Sequence, residues 1–134
     1  VQFTFSLPHV FEGRSTDLED GRALRVLLDC LIEINIAYLQ SNTVPTLYRS
    51  GVRYGRTQVW DSIPALYRRR YGDCKSLSAA LIAEYRMQGI DCEPVFRFHP
   101  RKSGAKDFHI LVQLANGFRD PSKVLGMGKN ENSR

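Results

Sequence analysis

Three residues in this chain have the types and the order that thiol-dependent acyl transfer requires. Cys74 can attack, His109 can move a proton, and Asp120 can hold the imidazole in one orientation. The local sequence around the sulfur strengthens the reading. Asp73 is a good helix N-cap, because its carboxylate can accept from the unpaired N–H groups of a first turn. Cys74 then occupies the first helical position, where the exposed N–H groups and the positive end of the helix dipole favour a thiolate. His109 in its charged form would add to this and give an ion pair with the sulfur. The N–H of Cys74, pointing out of the helix start, is the natural donor to a developing oxyanion.

The elements that must position these groups follow from hydrophobic periodicity. From Cys74 onward, Leu77, Leu81 and Tyr85 recur on the side of the sulfur, and Gly89 suits a left-handed C-cap. Beyond it the period drops from 3.6 to two. Residues 92–98 and 108–114 read as strands joined by a polar connection over 100–106. Asn116-Gly117 signals a two-residue hairpin returning through Phe118-Arg119 to Asp120. In a flat hairpin of that kind Asp120 lies beside Gln113, so meeting His109 requires a bulge or a curled sheet.

Upstream, Thr16-Asp17-Leu18-Glu19 is a capping box that opens a long helix. Its apolar face carries Leu24, Leu27, Leu28, Leu31 and Ile32, and Cys30 is read as core. Gly21 costs that helix about 1 kcal/mol relative to Ala. Phe3-Thr4-Phe5-Ser6-Leu7 alternates as a short strand, Val52-Arg53-Tyr54 as an edge strand, and residues 63–70 as a short helix with Pro64 in its first turn. Trp60 is a packing anchor just before it. Helices first and an antiparallel sheet afterwards make the class α+β.

The chain has 134 residues, 43% hydrophobic and 25% charged, as expected of one globular domain. A single domain is expected over 1–126, with a loosely ordered tail over 127–134. The net charge of +5 is modest, and Arg68-Arg69-Arg70 reads as a solvated helix end, so no nucleic-acid partner is expected. There is no apolar run of membrane-spanning length and no signal-peptide pattern, which favours a cytoplasmic location. Cys30, Cys74 and Cys92 form neither a disulfide framework nor a metal-ligand pattern, and no cofactor is expected. His9, His99 and Cys92 are read as surface or packing residues, and Gln58 as a weak candidate for a second oxyanion donor.

Gly72-Asp73-Cys74-Lys75, the helix ending at Gly89-Ile90, the strand opening at His109 and the segment Asp120-Pro121-Ser122 together resemble the transglutaminase-like superfamily of papain-like fold. The likeness covers about residues 58–126. It is similar in particular to the small stand-alone members of bacteria and phages, through Trp60, the following helix and Leu125-Gly126-Met127. The resemblance implies a papain-like core with the cysteine helix packed on an antiparallel sheet. It also implies a Cys74 nucleophile, a His109 base and acid, and an Asp120 orienting carboxylate. Lys75 stands where animal transglutaminases carry Trp, and there is no acidic cluster, so the likeness carries no calcium site. The expected substrate is a protein or peptide amide. The rival expectation is an inactive structural or binding module of a phage particle or larger assembly.

Overall fold

The computed structural model describes residues 1–11, 15–102 and 106–129. The capping box forms as read: Thr16 accepts from the Glu19 N–H, and Glu19 reaches back to Thr16. It opens α1, Asp17–Ser41, which buries Leu24, Leu28, Leu31 and Ile32. Leu27 is half-buried, and Cys30, read as core, is exposed. Two residues on a helix are about 200° apart, so Cys30 is turned away from the buried Leu28 and Ile32 on either side of it.

A 3-10 turn, Leu47–Arg49, leads to β1, Arg53–Tyr54. The short helix α2, Ile63–Arg69, has Pro64 in its first turn and ends on Arg70 in the left-handed conformation, φ 77°. Asn35 of α1 accepts from the Ile63 N–H at 2.8 Å and so supplies the cap that Ser62 does not. β2, Tyr71–Gly72, then pairs with β1 in parallel, Arg53 opposite Tyr71 and Tyr54 opposite Gly72. Nothing in the sequence announces this small parallel pair, because two residues are too few to show a period.

α3, Cys74–Met87, is the centre of the core. Every residue from Cys74 to Ala83 is buried, including Lys75, Ser76 and Ser78. The leucine spacing predicts a single apolar face; instead neighbours cover the first ten residues all round, which is why small residues (Ser76, Ser78, Ala79, Ala80, Ala83) occupy its remaining faces. Leu77 and Ile82 are fully covered, each worth about 2–3 kcal/mol of burial. The C-terminal cap is as read. Gly89 has φ 77°, and the Ile90 N–H donates to the Tyr85 carbonyl at 2.9 Å.

β3 (Cys92–Pro100), β4 (Lys106–Leu114) and β5 (Gly117–Arg119) form an antiparallel sheet in the order β3-β4-β5. The class is therefore α+β, with the cysteine helix packed against a three-stranded antiparallel sheet. The connection expected over 100–106 is shorter than read, because both strands extend into it, and its residues 103–105 lie outside the described residues. The chain closes with α4, Pro121–Val124, and a turn in which the Met127 N–H donates to the Ser122 carbonyl. Leu125 is buried and its carbonyl accepts from the Tyr54 N–H, so the chain just before the expected tail is tied to β1; residues 130–134 lie outside the described residues.

Residues 3–7 do not form the expected strand. Phe3 and Phe5 are largely exposed, and among the described residues no strand pairs with them. Alternation alone cannot make a strand without an edge to receive it.

Candidate active site

Asp73 caps α3 through its own carboxylate, which accepts from the Lys75 N–H at 3.2 Å, and Cys74 takes the first helical position. Its N–H has no acceptor within the helix, as for any first-turn residue. The preceding Gly72 is needed for close approach: a Cβ there would lie 2.6 Å from Leu66 Cδ1 and 3.3 Å from Ser76 Cβ. The turn that presents the sulfur is thus pressed against the floor of α2.

α3 packs against the part of β4 that β5 leaves unpaired. Ser78 donates from its hydroxyl to the Ile110 carbonyl at 3.4 Å, and one turn earlier the Ile110 backbone meets the Cys74 sulfur. Ile110 is the residue after His109. The sulfur therefore lies beside the stretch of strand that carries the imidazole.

The imidazole is held. His109 Nε2 and Asp120 Oδ2 are 2.9 Å apart, and both side chains are mostly shielded from water, 19% and 17% exposed. The hairpin turns at Ala115-Asn116 rather than Asn116-Gly117, so Leu114 pairs with Gly117 and Val112 with Arg119. Relative to the expected register this moves Asp120 two residues closer to His109. The positive φ, 137°, falls on Gly117. That shift closes the gap which a flat Asn-Gly hairpin leaves open.

Asp120 does two jobs. Its Oδ2 meets His109, and its Oδ1 accepts from the Lys123 N–H at 3.2 Å, capping α4. Burial pushes its carboxyl up, but the hydrogen bond and charge of His109, with help from Lys123, outweigh this and hold it below its ordinary value. With Nε2 engaged by the carboxylate, Nδ1 is the nitrogen left for the sulfur.

The sulfur itself departs from the expected ion pair. Burial pushes the Cys74 thiol up to about 12, and the nearby Asp73 and Asp120 carboxylates push the same way. The Ile110 backbone and Lys75 oppose them without prevailing. Desolvation thus overrides the helix terminus, and the resting group is a neutral thiol.

Lys75 is the member of the site that sequence reasoning missed. Its ammonium is buried, donates to the Asp73 carboxylate and to the Thr57 carbonyl at 3.0 Å, and lies 5.9 Å from the centres of both the Trp60 and Phe108 rings. It lines a hollow of about 330 Å³ with Gln58, Trp60, Phe108, Leu24 and Leu27. One wall belongs to the residue after the sulfur and another to the residue before His109. Gln58, the weak oxyanion candidate, is exposed at its rim. A larger recess of about 710 Å³ lies at the other end of α3, lined by Arg86, Cys92, Glu93 and Gln113, far from the imidazole in sequence and along the helix. Among the described residues no three His, Cys, Asp or Glu side chains converge to hold a metal ion, and no helix is long and apolar enough to cross a membrane.

Compared with protein-family models, with curated proteins and with solved structures, the chain matches none.

Proposed function

We propose that this protein is a cysteine-nucleophile acyl-transfer enzyme of the transglutaminase-like type, acting on amide bonds of proteins or peptides. The observation that carries the reading is the His109–Asp120 pair, seated one residue along β4 from the backbone that meets the Cys74 sulfur. A structural fold has no need to hold an imidazole and a carboxylate together beside a buried thiol at a helix start.

The chemistry follows from the resting thiol. With an ionisation near 12, the thiolate is roughly one molecule in 10⁵ at neutral pH, so attack has to be coupled to proton transfer onto His109. The sulfur bonds to the amide carbon as its proton passes to the imidazole. Asp120 stabilises the imidazolium that forms, and the Cys74 N–H receives the oxyanion. His109 then returns the proton to the departing amine, leaving a thioester on Cys74. Water or a second amine, deprotonated by the same imidazole, resolves it as hydrolysis or transamidation.

One observation favours a second reading. A thiol pushed so far up is what an inert, buried cysteine shows, and a module that keeps the fold for assembly alone would look like this. Alkylation with iodoacetamide at pH 7.5, mapped by peptide mass spectrometry, separates the two. The enzyme reading expects Cys74 to label at least about 100-fold faster than buried Cys92, and Cys74→Ala to abolish ammonia or amine release from casein-type substrates. Labelling of Cys74 as slow as that of Cys92 assigns the fold to the inert module.

A further inference from the structure

Residues 43–72 carry six arginines, Arg49, Arg53, Arg56, Arg68, Arg69 and Arg70, against one acid, Asp61. Their surplus equals the +5 of the whole chain. The fold draws them onto one surface. The Arg53 N–H donates to the Arg70 carbonyl at 3.0 Å, and Arg53 stands opposite Tyr71 in the parallel strand pair. The Arg70 guanidinium lies back over Gly51, where a Cβ would come within 2.8 Å of it, midway in sequence between Arg49 and Arg53. Arg68 leaves the last turn of α2 beside them.

Asp61 is already taken: its carboxylate accepts from Arg69 at 2.6 Å, and its N–H donates to the Ser76 hydroxyl oxygen. Among the described residues, Arg49, Arg53, Arg68 and Arg70 are exposed and none has a carboxylate partner. Gathering like charges without a counter-charge costs the fold some self-repulsion and creates a positive field, felt over about 8 Å at physiological salt. Guanidinium forks suit carboxylates, which they bind through two parallel hydrogen bonds. The surface also leads directly into the site. Tyr71, exposed at its centre, is three residues before Cys74, within a chain reach of about 10 Å.

We infer that this arginine surface docks an acidic stretch of the protein substrate and so delivers a neighbouring amide bond to Cys74. The inference rests on the acyl-transfer reading for its purpose, but not for its test. A short run of carboxylates matches a patch built on two-residue strands, and the adjoining nucleophile calls for a polypeptide rather than another polyanion.

The test is binding to the Cys74→Ala protein, which needs no turnover. The probe is a fluorescein-labelled Gly-Ser peptide bearing six consecutive glutamates, followed by fluorescence anisotropy. It should bind at least about tenfold more tightly than its glutamine counterpart, and weaken as salt rises. Arg49→Gln, Arg53→Gln and Arg68→Gln together should remove about tenfold of that affinity, since each exposed pair contributes modestly. Equal binding of the two peptides, or an unchanged triple variant, overturns the proposal. So does a 20-nucleotide oligo-dT that displaces the probe at lower concentration than the unlabelled peptide does, which would assign the surface to nucleic acid. Failure here leaves fast Cys74 alkylation standing, and slow alkylation leaves the binding result standing.

Discussion

The two ends of α3 make a natural contrast. Each presents a buried cysteine near a recess, Cys74 at the start and Cys92 just past the end. Burial pushes both thiols up. At the far end the recess is the larger, and Arg86 lies close enough to lower the Cys92 thiol partway back. The near end has two carboxylates working against ionisation. Judged by hollow size or by the nearest cation, Cys92 is the better placed sulfur. What it lacks is an imidazole: its sulfur meets the Ile82 carbonyl at 3.9 Å, an acceptor that takes no proton. On the acyl-transfer reading, then, a proton acceptor beside the sulfur matters more than a pre-formed thiolate.

Removing that acceptor is the most severe trial of the contrast. His109→Ala should lower Cys74 alkylation at pH 7.5 by about 10²–10⁴-fold, to the rate of Cys92, while leaving Cys92 unchanged. Circular dichroism should show the fold intact, because His109 is partly exposed and packs no core. A variant whose Cys74 kept its advantage over Cys92 would show that the helix terminus, not the imidazole, sets reactivity.

Asp120→Asn acts on the same pair more gently. The amide keeps the cap on α4 and can still meet the ring, but it loses the charge that stabilises imidazolium, so turnover should fall by about 10–10³-fold. Stability reports on it independently. The Asp120 carboxyl lies below its ordinary 3.8 when folded, so its contribution is fully present above that value and is lost as pH falls through the folded one. Urea midpoints measured between pH 6 and 2 should decline less steeply for the variant than for the parent. Identical acid limbs would mean that the His109 contact contributes nothing to the fold.

How much of this was legible follows the same division. The α3 start was, because Asp73, Cys74 and the leucine spacing are local signals that physics reads directly. So was the Gly89 cap, which needs only a residue tolerant of positive φ. The His109–Asp120 contact was not, since it depends on the hairpin turning one residue early at Ala115-Asn116, and Asn-Gly favours a different turn. The burial of Lys75 was hidden because its compensation comes from Asp73, Thr57 and two rings on separate segments. The exposed Phe3 and Phe5 misled for the reverse reason: their alternation is a local pattern with no strand partner among the described residues.

Glycine turns the contrast between the two helix ends into a stability measurement. At the near end, Gly72→Ala would drive a methyl to within 2.6 Å of Leu66 Cδ1, and Leu66 is fully buried with nowhere to retreat. Overpacking of that kind costs about 1–3 kcal/mol and would also shift the turn that carries Cys74, so activity should fall with stability.

At the far end the constraint is of another kind. Nothing lies within 4 Å of where a methyl on Gly89 would sit, so space is free, yet its φ of 77° is one that a side chain adopts at a cost of about 1 kcal/mol. Gly89→Ala should therefore lower the urea midpoint by an amount worth about 1 kcal/mol, with Cys74 alkylation unchanged. Gly89→Asn should lose less, because asparagine tolerates the left-handed region better than alanine. An alanine variant as stable as the parent would mean that the Ile90–Tyr85 hydrogen bond is not holding the helix end. A loss of alkylation would mean that strain at one end of α3 reaches the other, and the two ends could no longer be treated as independent.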